Sequence, residues 1–164
     1  MRRTDPNRST RTGSRGYTLI ELVVVITIGG ILAVFVAPRL FDQQVFAQRG
    51  YADELAAALR GAQKAAVITG CPAQLALTAT SYSVSQQAAG GNGCNPGDTS
   101  WSTPVLGADG AAVADAAPAG IAASPTGTFQ FDDQGRLTAG PGTTITIGSR
   151  TITIDPNSGF VQAQ

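Results

Sequence analysis

Gly16-Tyr17-Thr18-Leu19-Ile20-Glu21 decides the reading of this chain. It joins a basic leader to a long apolar run, and Glu21 is the only charge within that run. Residues 22–37 read Leu-Val-Val-Val-Ile-Thr-Ile-Gly-Gly-Ile-Leu-Ala-Val-Phe-Val-Ala, 16 positions without a charge. With residues 17–21 and Pro38 the stretch holds 22 residues. As a helix that is about 33 Å, close to the thickness of a bilayer's hydrocarbon core. The expectation is a transmembrane helix over 17–38. A carboxylate at the edge of such a span costs at least about 2.5 kcal/mol on insertion scales, so Glu21 should have a partner and a task.

The chain has 164 residues, enough for one small domain and an anchor. Its net charge of zero hides an asymmetry. Residues 1–16 carry five arginines (Arg2, Arg3, Arg8, Arg11, Arg15) against Asp5, or +4; the remainder carries six basic and ten acidic side chains, or −4. Basic residues before an apolar span stay cytoplasmic, which places the rest across the membrane. If the chain is cut after Gly16, Glu21 meets a new positive amino terminus. Two alternatives stand beside this. One is an uncleaved single-pass anchor, which leaves Glu21 and the Gly-Tyr junction unexplained. The other is a secretory signal peptide cut after Val45-Phe46-Ala47, for which the apolar run is too long.

Gly16-Tyr17-Thr18-Leu19-Ile20-Glu21-Leu22-Val23-Val24-Val25-Ile26 resembles the type IV prepilin signature shared by pilins and the pseudopilins of type II secretion. The resemblance implies cleavage after Gly16 by an inner-membrane prepilin peptidase, and N-methylation of Tyr17. It also implies a filament-assembly role for Glu21, residue five of the mature chain. Glu21 would pair with the Tyr17 amine of a neighbouring subunit. Many members carry proline where this chain has Pro38, expected here as a helix break. Gly29-Gly30 is a second soft point. The leader, at 16 residues, is longer than is usual in the family.

Beyond Pro38 an amphipathic periplasmic helix is expected over 39–70. Leu40, Phe41, Val45 and Phe46, then Leu55, Leu59, Ala62, Ala66 and Val67, recur at helical spacing. Gly50 is a flexible point and Gly70 a C-cap. Residues 39–50 are expected to face neighbouring subunits. From Cys71 the pattern changes to short strands: 74–78, 82–85, 128–131, 143–147, 151–154 and 160–161. Asp132-Asp133-Gln134-Gly135, Gly148-Ser149-Arg150 and Asp155-Pro156-Asn157-Ser158-Gly159 mark turns. The fold class is therefore α+β, a long N-terminal helix packed on a small antiparallel sheet formed by 71–164. Residues 88–127 read as a mobile loop, since 107–123 holds nine alanines and three glycines among 17 residues. Trp101 is its one candidate anchor.

Cys71 and Cys94 are the only cysteines. In an oxidising compartment a disulfide is the leading expectation, with two free thiols as the alternative. Zinc is poorly supplied, since the chain has no histidine. Residues 46–55, 58–67 and 70–71 resemble the GspH/FimT group of minor pilins and pseudopilins, and within it minor pilins of the mannose-sensitive haemagglutinin type. The implied partners are prepilin peptidase, other pilin or pseudopilin subunits and inner-membrane lipid. The implied location is the bacterial inner membrane with a periplasmic C-terminal domain, then a pilus or pseudopilus.

Catalysis finds no support, and no cofactor is expected: there is no histidine, nucleophile elbow or phosphate-binding glycine loop. Asp132, Asp133 and Asp155 fit turn chemistry better than calcium binding. Some FimT-like pilins capture DNA through a basic Gly-Arg-x-Arg motif near the C-terminus; this chain has Gly159-Phe160-Val161-Gln162 there. From Pro72 onward Arg136 and Arg150 face six acids, which argues against nucleic acid.

Overall fold

The structure, a computed structural model, describes residues 17–90, 93–95 and 99–164, with the side chains of 34–42, 89, 90 and 93 set aside. The leader, and with it Gly16, lies outside the described residues. The chain divides into two units, residues 1–40 and 41–164.

One α-helix is described, α1 (Leu19–Thr69). α1 runs as one element through Pro38 and Gly50; the helix break expected at Pro38 falls on a position whose side chain lies outside the described residues. The helix stops as expected: Gly70 takes a left-handed φ of 65°, which a residue without Cβ adopts at little cost. The Thr69 hydroxyl donates to Ala65 O at 2.7 Å and accepts from Cys71 N at 3.2 Å.

In the second unit, β1 (Ala73–Leu77), β2 (Ser81–Gln86), β3 (Ala89–Gly90), β4 (Gly93–Cys94), β5 (Thr103–Pro104) and β6 (Ala114–Ala116) follow the helix. Then come β7 (Ala123–Ser124), β8 (Gly127–Phe131), β9 (Leu137–Ala139), β10 (Thr144–Ile147), β11 (Arg150–Ile154) and β12 (Val161–Ala163). The first sheet has the order β5-β2-β1-β8-β9, with β6 also on β2; the second runs β12-β11-β10-β7; β3 and β4 pair separately. All pairings are antiparallel, as in Leu75 opposite both Val84 and Phe129. The α+β class stands, but two main sheets replace the single one expected.

Period-two burial explains why these strands form. Ala73, Leu75 and Leu77 of β1 point inward, as do Ile145, Ile147, Ile152 and Ile154 of β10 and β11, while Thr144, Thr146 and Thr153 face out. Both sheets share one hydrophobic cluster with α1, to which the helix contributes Tyr51, Ala52, Leu55, Ala56, Ala58, Leu59, Ala62 and Ala66. Alanine along this stripe lets strands approach the helix closely. Val67, expected in the stripe, is exposed. It lies one residue, and so about 100° of helix rotation, past Ala66.

Within 88–127, expected as one mobile loop, the described residues include the short strands β3 to β7. Val105 N donates to Val84 O at 3.1 Å and Val84 N to Val113 O at 2.9 Å, so a hairpin rides along the edge of β2. Ile121 and Ala123 reach the core, and Val105, Val113 and Ala117 pack against it. These side chains, rather than half-buried Trp101, attach the stretch. Local composition is poor in apolar bulk, but the edge of β2 supplies partners for its backbone.

Candidate functional site

The decisive segment is a helix start. Glu21 N–H donates to the Thr18 hydroxyl oxygen at 3.2 Å, and Leu22 N to Thr18 O at 3.2 Å. Thr18 is thus the N-cap of α1 and Glu21 its third residue, the Thr-x-x-Glu spacing of a capping box. A carboxylate in the first turn also complements the positive end of the helix dipole. This local duty of Thr18 and Glu21 was missed in reading the sequence, although the spacing before an apolar run signals it. It explains why helix begins within two residues of the Gly16-Tyr17 bond.

Tyr17 and Glu21 are both exposed, and the only ion pair among the described residues is Arg136 with Asp132. The apolar side chains that follow are equally uncovered. From Tyr17 to Leu32 the large hydrophobic residues range from 42% exposed at Val23 to 83% at Tyr17. A soluble surface does not carry such a stripe without something to cover it. Among the described residues no helix is long and apolar enough to cross a membrane. The expected span of 17–38 takes in side chains outside the described residues.

Cys71 and Cys94 form a disulfide with Cα atoms 5.2 Å apart. It ties the end of α1 to β4 across 23 positions of sequence. The turn aspartates behave as turn residues. Asp132 Oδ1 accepts from Gln134 N and Arg136 N at 3.0 and 2.7 Å. Asp155 Oδ1 accepts from Asn157 N, Ser158 N and the Ser158 hydroxyl at 2.8 to 3.0 Å. Among the described residues no group of three or more acidic or cysteine side chains is arranged to hold a metal. Two features had no sequence signal: a helix-to-sheet polar contact set by Arg60 and Gln63, and a contact joining Glu54 to Tyr82. Each depends on pairing across more than 25 positions.

Comparison with protein families places these observations. Residues 11–37 match the prokaryotic N-terminal methylation motif, which brackets Gly16, Tyr17 and Glu21. Residues 51–159 match the type II transport protein GspH, from Tyr51 through both cysteines to Gly159. No curated protein and no solved structure matches the chain. The second match spans 109 of 164 residues, and the chain belongs to the family of the type II transport protein GspH.

Proposed function

We propose that this chain is a minor pilin or pseudopilin, a structural subunit of a type IV pilus or a type II secretion pseudopilus. Prepilin peptidase cuts it between Gly16 and Tyr17 and methylates the Tyr17 amine. Residues 17–38 anchor it in the inner membrane before assembly, and the β-rich unit lies in the periplasm. The observation that carries this reading is the methylation-motif match over 11–37, on a helix whose described apolar side chains are uncovered. Inside a filament those side chains pack on equivalent helices, and Glu21 takes the Tyr17 amine of a neighbouring subunit as its counter-ion. Pairing removes the cost of an isolated carboxylate in lipid, which makes entry into the filament selective for processed chains.

The test is incorporation. Glu21→Val and Glu21→Gln subunits should accumulate in the membrane but enter sheared or cross-linked filaments poorly beside wild type. Equal entry of both variants would remove Glu21 from assembly.

A further inference from the structure

Within the unit formed by residues 41–164, α1 carries a second uncovered face. Phe46 is 69% exposed, and Arg49, Gly50, Asp53 and Ala57 are exposed with it. At about 100° per residue these five fall on one side of the helix. Tyr51, Leu55, Leu59 and Ala62, on the other side, belong to the core. Gly50 leaves a gap in the face, since a Cβ built there meets nothing within 4 Å. Arg49 and Asp53 stand four residues apart with the base first, the weaker order for a pair within one helix. Neither forms an ion pair among the described residues.

This face complements itself. Two parallel helices shifted by four residues, about 6 Å, set Arg49 of one copy level with Asp53 of the other. The same shift sets Phe46 level with Gly50, so the bulkiest side chain of the face meets its gap. With no shift, Arg49 meets Arg49 and Phe46 meets Phe46. The shift of four also sets Arg60 level with Lys64, but Arg60 is held to Val161 O of its own chain at 3.0 Å. A shift of eleven residues sets Lys64 against Asp53 instead. It leaves Arg49 with no acid level with it, and it puts Phe46 on the Ala57 methyl rather than a gap. Four is also the spacing from Tyr17 to Glu21, the offset that pairing of the amine with a neighbour's carboxylate requires.

We propose that a second copy of this chain docks in parallel on this face, with Arg49 of one copy paired to Asp53 of the other and Phe46 seated over Gly50. The inference rests on the filament reading above and adds a second place where neighbours hold their register. Each copy offers Arg49 to one neighbour and Asp53 to another. The contact is therefore heterologous, and it propagates into an open filament where its rotation does not close a ring. One operator relates successive copies, so a single axial step serves both the Tyr17–Glu21 pair and the Arg49–Asp53 pair. An exposed ion pair is weak alone. Its effect here is to fix the shift, because an unshifted pairing sets like charges against each other.

The experiment is oxidative cross-linking in native membranes between two co-expressed, differently tagged full-length copies. The native cysteines are bridged to each other and do not compete. An Arg49→Cys copy with an Asp53→Cys copy should give mixed dimer, and Asp53→Cys with Lys64→Cys should not. In sheared filaments Arg49→Asp and Asp53→Arg should each enter about fivefold less than wild type. The double variant, which restores opposite charges, should return to wild-type entry. Intact mass of the same samples separates the outcomes. Processed chains that give no dimer between Arg49→Cys and Asp53→Cys, that cross-link through Lys64→Cys instead, or whose double variant enters as poorly as the single ones would overturn this face and leave the filament reading standing. Chains that keep the leader would overturn both.

Discussion

Gly159 packs against the carbonyl of Gly135, and that carbonyl occupies the space where a side chain at 159 would begin. Two turns distant in sequence thereby meet, and α1 locks them from below. Gln63 Nε2 donates to Gly135 O at 3.2 Å and to Ser158 O at 2.8 Å. One turn earlier Arg60 donates to Val161 O through Nε and Nη2, at 3.2 and 3.0 Å. The C-terminal strand is thus fixed to the helix by side-chain donors and backbone acceptors.

Gly159→Ala should therefore be costly. The residue has φ of 65°, and a Cβ there meets backbone rather than a movable side chain. Strain and overpacking together predict a loss of about 2–4 kcal/mol in chemical denaturation of the full chain in detergent. Gly61→Ala, inside α1 with nothing within 4 Å of an added Cβ, should instead stabilise by about 0.5–1 kcal/mol.

The core stripe predicts a second contrast on the same helix. Leu59 is 0% exposed and Ile68 is 71% exposed. Leu59→Ala should cost about 2–5 kcal/mol through lost burial and the cavity left behind. Ile68→Ala should stay within about 0.5 kcal/mol. The same denaturation assay reads both, and equal effects would mean the helix buries a different face.

Acid should loosen the two aspartate turns. The backbone N–H of Ser158, then its hydroxyl and Asn157 N–H, hold Asp155 below the usual carboxylate range. At Asp132 burial pushes upward, but hydrogen bonds from Arg136 and Gln134 outweigh it. A carboxyl lowered in the folded state stabilises above its unfolded value of about 3.9, and that contribution disappears as pH falls through the folded value. Asp155→Asn should therefore flatten the acid limb of the stability profile, lowering stability near neutrality and matching the wild type in acid. An unchanged acid limb would remove Asp155 from the account.

Reduction of Cys71–Cys94 should lower stability by about 3 kcal/mol in the chain-entropy treatment of this loop. Thiol labelling of the native protein should occur only after reductant is added. Labelling of both cysteines without it would contradict the bridge.

The parts of the fold legible in the sequence are those with local signals. The apolar run over 17–38 announces a helix, Gly70 ends it, and the Thr-Ile alternation around Gly148 makes the β10–β11 hairpin, with Ile145 opposite Ile152. What stayed hidden depends on distant partners. The strand at 114–116 is Ala-Asp-Ala and has no strand character of its own; β2 makes it one by offering an edge. Asp115 is an ordinary loop aspartate until that pairing sets it opposite Tyr82. Ala123 enters the core only because β7 pairs with β10, which places it opposite Ile147. At the N-terminal site Tyr17 and Glu21 were legible as chemistry, while the capping role of Thr18 needed the backbone geometry.

The central claim is processing at Gly16-Tyr17, and intact mass with N-terminal sequencing of protein from native membranes tests it directly. The comparison is between cells with and without active prepilin peptidase. The account predicts a chain beginning at N-methylated Tyr17 only when the peptidase is active. A leader that remains attached in both, or a chain beginning after Ala47, would contradict it and return the protein to an uncleaved anchor or a secreted domain.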